Sequence, residues 1–256
     1  MSRPRVMVSR CLLGDPVRYD GGHREVAGLR EALASVWDWV PVCPEVEAGM
    51  PVPRPPIDLV GVGGRWSVVE SATGRDVTPK LRAAARARSA QAAEKGLDGA
   101  ILKARSPSCG IGDARRFVAG VGGASTAGFG ALAGALRSAS PLLPMVDESV
   151  AGDGARLVAF IGRVHVHHLC RRGGPRAALL RLRHLLPIDP QRASRLRLLA
   201  ALGDAGAFCR EASALVSATQ PALWPREWIS GSLAITLRTV RDLHASGAVK
   251  KATVTR

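Results

Sequence analysis

Along the first 150 residues, short apolar runs alternate with longer stretches in which apolar residues return every three or four positions. Arg5–Ser9 reads as a strand, and residues 25–37, with Val26, Leu29, Leu33 and Val36 on one stripe, read as a helix. A second strand over 39–43 ends at Cys43-Pro44, and the Pro- and Gly-punctuated residues 45–56 read as loop. Residues 59–62 and 66–70 predict a hairpin around Gly63-Gly64. A helix opens at Asp76-Val77-Thr78-Pro79, where Thr78 suits the cap and Pro79 the first turn, and runs to Lys95 before Gly96 stops it. The next strand is 99–103, followed by a helix over 128–137 and a last strand over 141–146.

Beyond Val150 the spacing is helical only, with segments at 157–171, 175–186, 193–202, 206–218 and 229–245. The polar, glycine-bearing stretch 147–153 marks the change. The expected architecture is α/β: a Rossmann-like, mostly parallel sheet over residues 1–150, followed by an all-α region over 151–256. In such sheets ligands sit beyond the carboxyl ends of the strands. Cys11, Cys43 and Cys109 each fall at or just past the end of an expected strand, so three thiols distant in sequence are expected to converge on one edge.

Composition narrows the classes. With one Tyr and four Phe among 256 residues, core volume must come mainly from aliphatic side chains. No apolar run is long enough for a membrane span or a signal segment, which leads to the expectation of a cytoplasmic protein. Five cysteines, an odd number without a CxxC pair, suit free or metal-bound thiols better than a disulfide framework. The net charge of +15 is uneven: residues 1–150 carry 19 Lys/Arg against 15 Asp/Glu, and residues 151–256 carry 17 against 6. The second region therefore suits a polyanion, nucleic acid first and an acidic membrane surface second, or is simply a solvated basic face.

Three thiols in polar loops can hold a soft metal centre. Buried unreactive cysteine is the plain alternative, and zinc would need a fourth ligand such as His23. A four-iron cluster on three protein thiolates leaves one iron for an outside ligand, for which sulfur is preferred.

Five runs, in order, carry a resemblance: Ser9-Arg10-Cys11-Leu12-Leu13-Gly14 with Val17-Arg18-Tyr19-Asp20-Gly21-Gly22; Pro41-Val42-Cys43-Pro44-Glu45-Val46; Gly49-Met50-Pro51-Val52-Pro53-Arg54; Gly74-Arg75-Asp76-Val77-Thr78; and Leu102-Lys103-Ala104-Arg105-Ser106-Pro107-Ser108-Cys109-Gly110. Together, over about residues 5–148, they resemble the thiouracil desulfidase family. The resemblance implies a [4Fe-4S] cluster on Cys11, Cys43 and Cys109, whose fourth iron takes the sulfur of a thiolated pyrimidine while water supplies oxygen. Glu45, two residues from a cluster thiolate, then becomes the candidate proton-transfer group, with Ser106 or Ser108 to orient or relay the proton. As plain alternatives, Glu45 caps a turn and the serines form one. Lys103 and Arg54 would neutralise charge or hold substrate, and Asp20 and Asp76 serve loops and caps. After Cys109, Ile111-Gly112-Asp113-Ala114 departs from the Tyr-Asp-Gly-type continuation usual in the family, so substrate contacts from that loop are not carried over.

Family members often carry a second domain thought to bring transfer RNA to the cluster for conversion of 4-thiouridine to uridine. Residues 160–168 resemble the first helix of such a domain faintly, and the Arg-rich tail would contact phosphates. His165, His167, His168 and Cys170 point in different directions on a helix, apart from pairs such as His165 and His168, so partly exposed helix positions are expected rather than a metal site. Cys209 is expected in the core, and Trp224 and Trp228 at a packed corner rather than stacked on bases. The competing function is a module in which a cluster or zinc senses redox state and the basic region grips RNA without turnover.

Overall fold

The computed structural model describes residues 2–34, 36–62, 65–118 and 124–219, together with Trp224 and Trp228. Four strands, β1 (Arg5–Ser9), β2 (Asp38–Val42), β5 (Gly99–Leu102) and β8 (Met145–Asp147), form a fully parallel sheet in the order β2-β1-β5-β8. Side-chain alternation then sorts the core. Val6, Val8 and Ile101 point into the cluster shared with Trp37, Phe160 and Val164, whereas Met7, Ala100 and Leu102 point the other way, among Ala85, Ala92, Leu132 and Leu136. Those last residues belong to α3 (Thr78–Lys95) and α4 (Ala131–Ala139), which cover one face of the sheet. The opposite face is covered by the first half of α5 (Gly154–Leu182). The approach is close: a Cβ at Gly99 would lie 2.6 Å from Val164 Cγ2.

The α/β expectation is met, with an addition. A second four-stranded sheet, ordered β4-β3-β6-β7, is built from β3 (Ile57–Val62), β4 (Arg65–Glu70), β6 (Ala114–Val118) and β7 (Ala124–Gly128). The hairpin expected at 59–70 is there as β3 and β4, but β6 and β7 fall where no strand is expected. Three further expectations need correction. The helix of 25–37 is shortened to α1 (Leu29–Leu33), its flanks being turn and extended chain that still bury Val36 and Trp37. Residues 44–47, expected as loop, form the short helix α2 (Pro44–Glu47). Thr78 does not cap α3, whose cap position is Val77; Asp76 accepts from Thr78 N at 2.7 Å just before the helix, while the Thr78 hydroxyl accepts from Val68 N at 2.7 Å and ties the helix to β4.

The helical part follows the expected spacing. α5 breaks at Gly174, whose φ of 69° no helix accommodates, just before Pro175, which lacks the N–H to continue the ladder. α6 (Pro190–Leu202) and α7 (Ala205–Ser217) open with Asp189 and Asp204 as caps. The helix expected over 229–245 lies outside the described residues. One apolar cluster runs from the parallel sheet through α5 to α6 and α7. Among the described residues no helix is long and apolar enough to cross a membrane.

His165 and His168 are buried rather than partly exposed. His165 stacks on Trp228 with ring centroids 4.8 Å apart, and His168 Nδ1 donates to Asp98 at 2.8 Å. Trp224 meets Trp228 edge-on and donates Nε1–H to the Thr219 hydroxyl at 3.0 Å, so both indoles belong to a packed corner. Cys209 is buried among the same helices.

Candidate active site at the carboxyl edge of the parallel sheet

The three neighbouring strands β2, β1 and β5 end at the same edge, and each delivers a cysteine. Cys11 sits in the single 3-10 turn that follows β1, Cys43 directly follows β2 in extended conformation, and Cys109 follows β5 in the turn 107–109. That last turn is pinned to the start of α4: Ala131 N donates to Pro107 O at 3.0 Å and Leu132 N to Ser108 O at 2.8 Å. Only glycine fits at Gly130, because a Cβ there would lie 2.6 Å from the carbonyl carbon of Ser108 and 2.7 Å from Cys109 N.

A cavity of about 450 Å³ opens between these loops and is lined by Cys11, Cys43, Cys109, Glu45 and Ser106 among others. All three thiols are free. Burial pushes Cys11 up to about 11, with the neighbouring Cys43 adding to the rise and Lys103 and Arg18 opposing it. Burial raises Cys43 as well, and lifts Cys109 far above the ordinary thiol value. Converging thiols that are costly to ionise in isolation are what a cationic soft metal centre compensates.

The donor set fits a cluster better than a single ion. Among the described residues no three His, Cys, Asp or Glu groups are close enough to hold one metal ion. A cluster distributes its thiolates over different iron atoms and needs a wider spacing. His23, the fourth zinc ligand the sequence allowed, is exposed, absent from the cavity wall, and accepts from Glu25 N at 3.3 Å through Nδ1.

Glu45 is held on both oxygens. Oε1 accepts from the Ser108 hydroxyl at 2.7 Å, and Oε2 accepts from Arg54 Nε at 2.8 Å and Nη2 at 2.5 Å. Arg54 is itself buried and fixed by the carbonyls of Val17, at 2.9 Å, and Pro51, at 3.1 Å. The two serines divide their work. The Ser106 hydroxyl accepts from Ser108 N at 3.2 Å and Cys109 N at 3.1 Å and so shapes the turn that carries the third thiol. Ser108 is fully buried and reaches the cavity only through Glu45.

Sequence reasoning missed Arg54 as the partner of Glu45, although both lie in the matching runs, and missed Glu148 altogether. Glu148 pairs with Lys103 and accepts from Ala104 N at 2.6 Å, bracing the β5 exit loop from a position with no motif around it. Around the mouth, Arg10, Arg18 and Lys103 have carboxylate partners. Arg24, Arg105 and Arg115 line the same cavity, are exposed, and form no ion pair among the described residues. Tyr19, the single tyrosine of the chain, stands beside them 43% exposed.

Fold and site define an α/β protein with a thiol-lined cavity at the carboxyl edge of a parallel sheet. Residues 6–148 match the 2-thiouracil desulfurase family, and the chain belongs to that family. It is 35% identical over 112 residues to the uncharacterized protein YbbK of Bacillus subtilis (strain 168), covering 42% of this chain and 74% of that protein. Among solved structures it is similar to the [4Fe-4S]-dependent thiouracil desulfidase TudS, at 35% identity and a TM-score of 0.49, covering 58% of this chain and 93% of that one.

Proposed function

We propose that the chain is an iron–sulfur-dependent desulfidase that replaces the sulfur of a thiolated pyrimidine by oxygen, with water as co-reactant and hydrogensulfide as the leaving product. The observation that carries the reading is Glu45, clamped between Arg54 and Ser108 on the wall of a cavity shared with three free thiols. Cys11, Cys43 and Cys109 would hold a [4Fe-4S] cluster. When bound, that cluster supplies an iron without a protein thiolate, a soft acceptor for the substrate's sulfur.

The remaining chemistry belongs to side chains. Exchange of C=S for C=O consumes one water, whose protons must move as the C–O bond forms. The Glu45 carboxylate is the acceptor placed for that transfer, and its two clamps fix its direction before substrate arrives. Arg54 holds Glu45 Oε2 through two N–H donors and so fixes the direction in which the other oxygen faces. Ser108 acts as a positioning residue through Glu45, and Ser106 by holding the Cys109 turn.

The rim supports a phosphate-bearing form of the substrate, 4-thiouridine in transfer RNA, over a free base. Arg24, Arg105 and Arg115 offer phosphates guanidinium groups without a carboxylate partner among the described residues, and Tyr19 offers a face on which a neighbouring base can stack. The basic region 151–256 extends the same field, and we assign it to RNA and residues 1–150 to the chemistry.

The test is sulfide release by anaerobically prepared full-length protein given 2-thiouracil, 4-thiouracil, 4-thiouridine or transfer RNA carrying 4-thiouridine. Release from any of these is the expected result, with the highest kcat/KM on RNA. Tight RNA binding with no sulfide from any substrate would instead favour a sensor that does not turn over.

A further inference from the structure

A second cleft, of about 430 Å³, lies away from the cysteines. It is bounded by β8, the edge strand of the parallel sheet, by α5 and by the end of α7. Two arginines of α5, Arg156 and Arg163, line it; seven residues apart, they share one face of the helix. Arg163 Nε is buried without a hydrogen-bond partner, and its guanidinium forms no ion pair among the described residues. Burial disfavours its charge and the nearby Arg156 repels it, so both act to lower its hold on the proton. Asp147 is the carboxylate on this wall, yet its Oδ1 caps a turn by accepting from Ser149 N at 2.8 Å, and it pairs with neither arginine. Arg156 Nη1 donates to the Ser149 hydroxyl, a neutral acceptor, at 3.1 Å.

A cation held half out of water beside a second cation is costly unless an anion joins them. We propose that Arg156 and Arg163 form a binding site for a phosphate group, brought either by free phosphate or by a phosphodiester of RNA. Two guanidinium groups present several N–H donors to a tetrahedral oxyanion, and the Ser217 hydroxyl lines the same cleft. The cleft runs along the whole of β8, and Ile111, two residues past Cys109, forms part of its wall. Both arginines fall outside the residues that match the family, 6–148, so the two cations of the site come from the helical extension while β8 and Ile111 supply the opposite wall.

The experiment titrates the full chain with inorganic phosphate at constant ionic strength, against potassium chloride, and follows the thermal midpoint. At phosphate ten-fold above its Kd the midpoint should rise by about 3–6 °C, and chloride should leave it in place. In Arg163→Met the rise disappears, while without phosphate the variant unfolds no earlier than the parent, because an unpaired buried charge has been replaced by an apolar chain. Competition between phosphate and a short single-stranded RNA, lost in Arg163→Met, assigns the phosphodiester; absence of competition assigns the free anion. Equal midpoints in phosphate and chloride would overturn the proposal. So would an undiminished rise in Arg163→Met, or earlier unfolding of that variant in phosphate-free buffer. Sulfide release is not part of the readout, so this result and the desulfidase test stand or fall separately.

Discussion

The two ends of the parallel sheet are built on opposite principles. At the amino end, one carboxylate, Asp98, is fully buried and saturated: it accepts from Arg5 N at 3.0 Å, His168 Nδ1 at 2.8 Å, and Arg171 Nε and Nη2 at 2.9 and 3.3 Å. His167 stands 3.7 Å off, beyond hydrogen-bond distance. Burial opposes the Asp98 charge, but the nearby His167 ring and the donors of His168, Arg171 and Arg5 outweigh it and hold the carboxyl well below its usual range. At the carboxyl end, the buried thiols of Cys11 and Cys109 and the half-buried thiol of Cys43 have no comparable set of partners and face a cavity. A buried polar group that is fully paired fastens, here joining α5 to β1 and β5. One left unpaired awaits a ligand.

Breaking the saturated end should give the largest effect on the fold. Asp98→Ala leaves the buried His168 and the guanidinium of Arg171 without their acceptor and is expected to cost about 3–5 kcal/mol in chemical denaturation, with kcat unchanged wherever the protein stays folded. Glu45→Gln acts at the other end. It keeps the shape but not the proton acceptor, so turnover should fall at least about 10²-fold, roughly 3 kcal/mol, with a smaller loss of stability than in Asp98→Ala, because the amide still offers an acceptor to the buried Arg54.

Acid should separate the two ends again. Burial, reinforced by the charge of His168 and opposed by that of Asp98, lowers His165 from 6.5 to about 3. The unfolded chain therefore binds the proton first, and stability that is complete above pH 6.5 is lost as the pH falls toward 3, at about 1.4 kcal/mol per unit. Near pH 5 this comes to about 2 kcal/mol. Asp98, with its value depressed, adds a loss only below about pH 4. Denaturation midpoints of His165→Phe, which keeps the stack on Trp228, should show a flatter profile between pH 6.5 and 5. The smallest effect is expected for Ser108→Ala. Losing one of the two clamps on Glu45 should lower kcat about ten-fold and leave KM nearly unchanged.

How far the sequence reveals this contrast follows from where each signal lives. Val6, Met7 and Val8, Val40 and Val42, and Ala100 to Leu102 lie in short apolar runs between turn residues, so the strands and the cysteines at their ends were legible. Ala114–Val118 carries two arginines and Ala124–Gly128 is made of small residues, so neither looks like a strand; both are held by pairing with β3 and with each other. The 25–37 helix was overread because Val26 and Val36 are apolar for core packing, not for helical continuity. In the site, Cys11, Cys43, Cys109 and Glu45 announced themselves by motif. The pairing of Arg54 with Glu45, and the residues Glu148 and Asp98, did not, because a side-chain partner many residues away leaves no periodic trace.

The central claim is that the unpaired carboxyl edge is a cluster site, and iron and acid-labile sulfide per chain after anaerobic reconstitution test it most directly. The account predicts about four of each in the native chain and in Asp98→Ala, and loss of both when Cys11, Cys43 and Cys109 are together replaced by Ala. Undiminished iron in that triple variant, or none in the native chain, would contradict it.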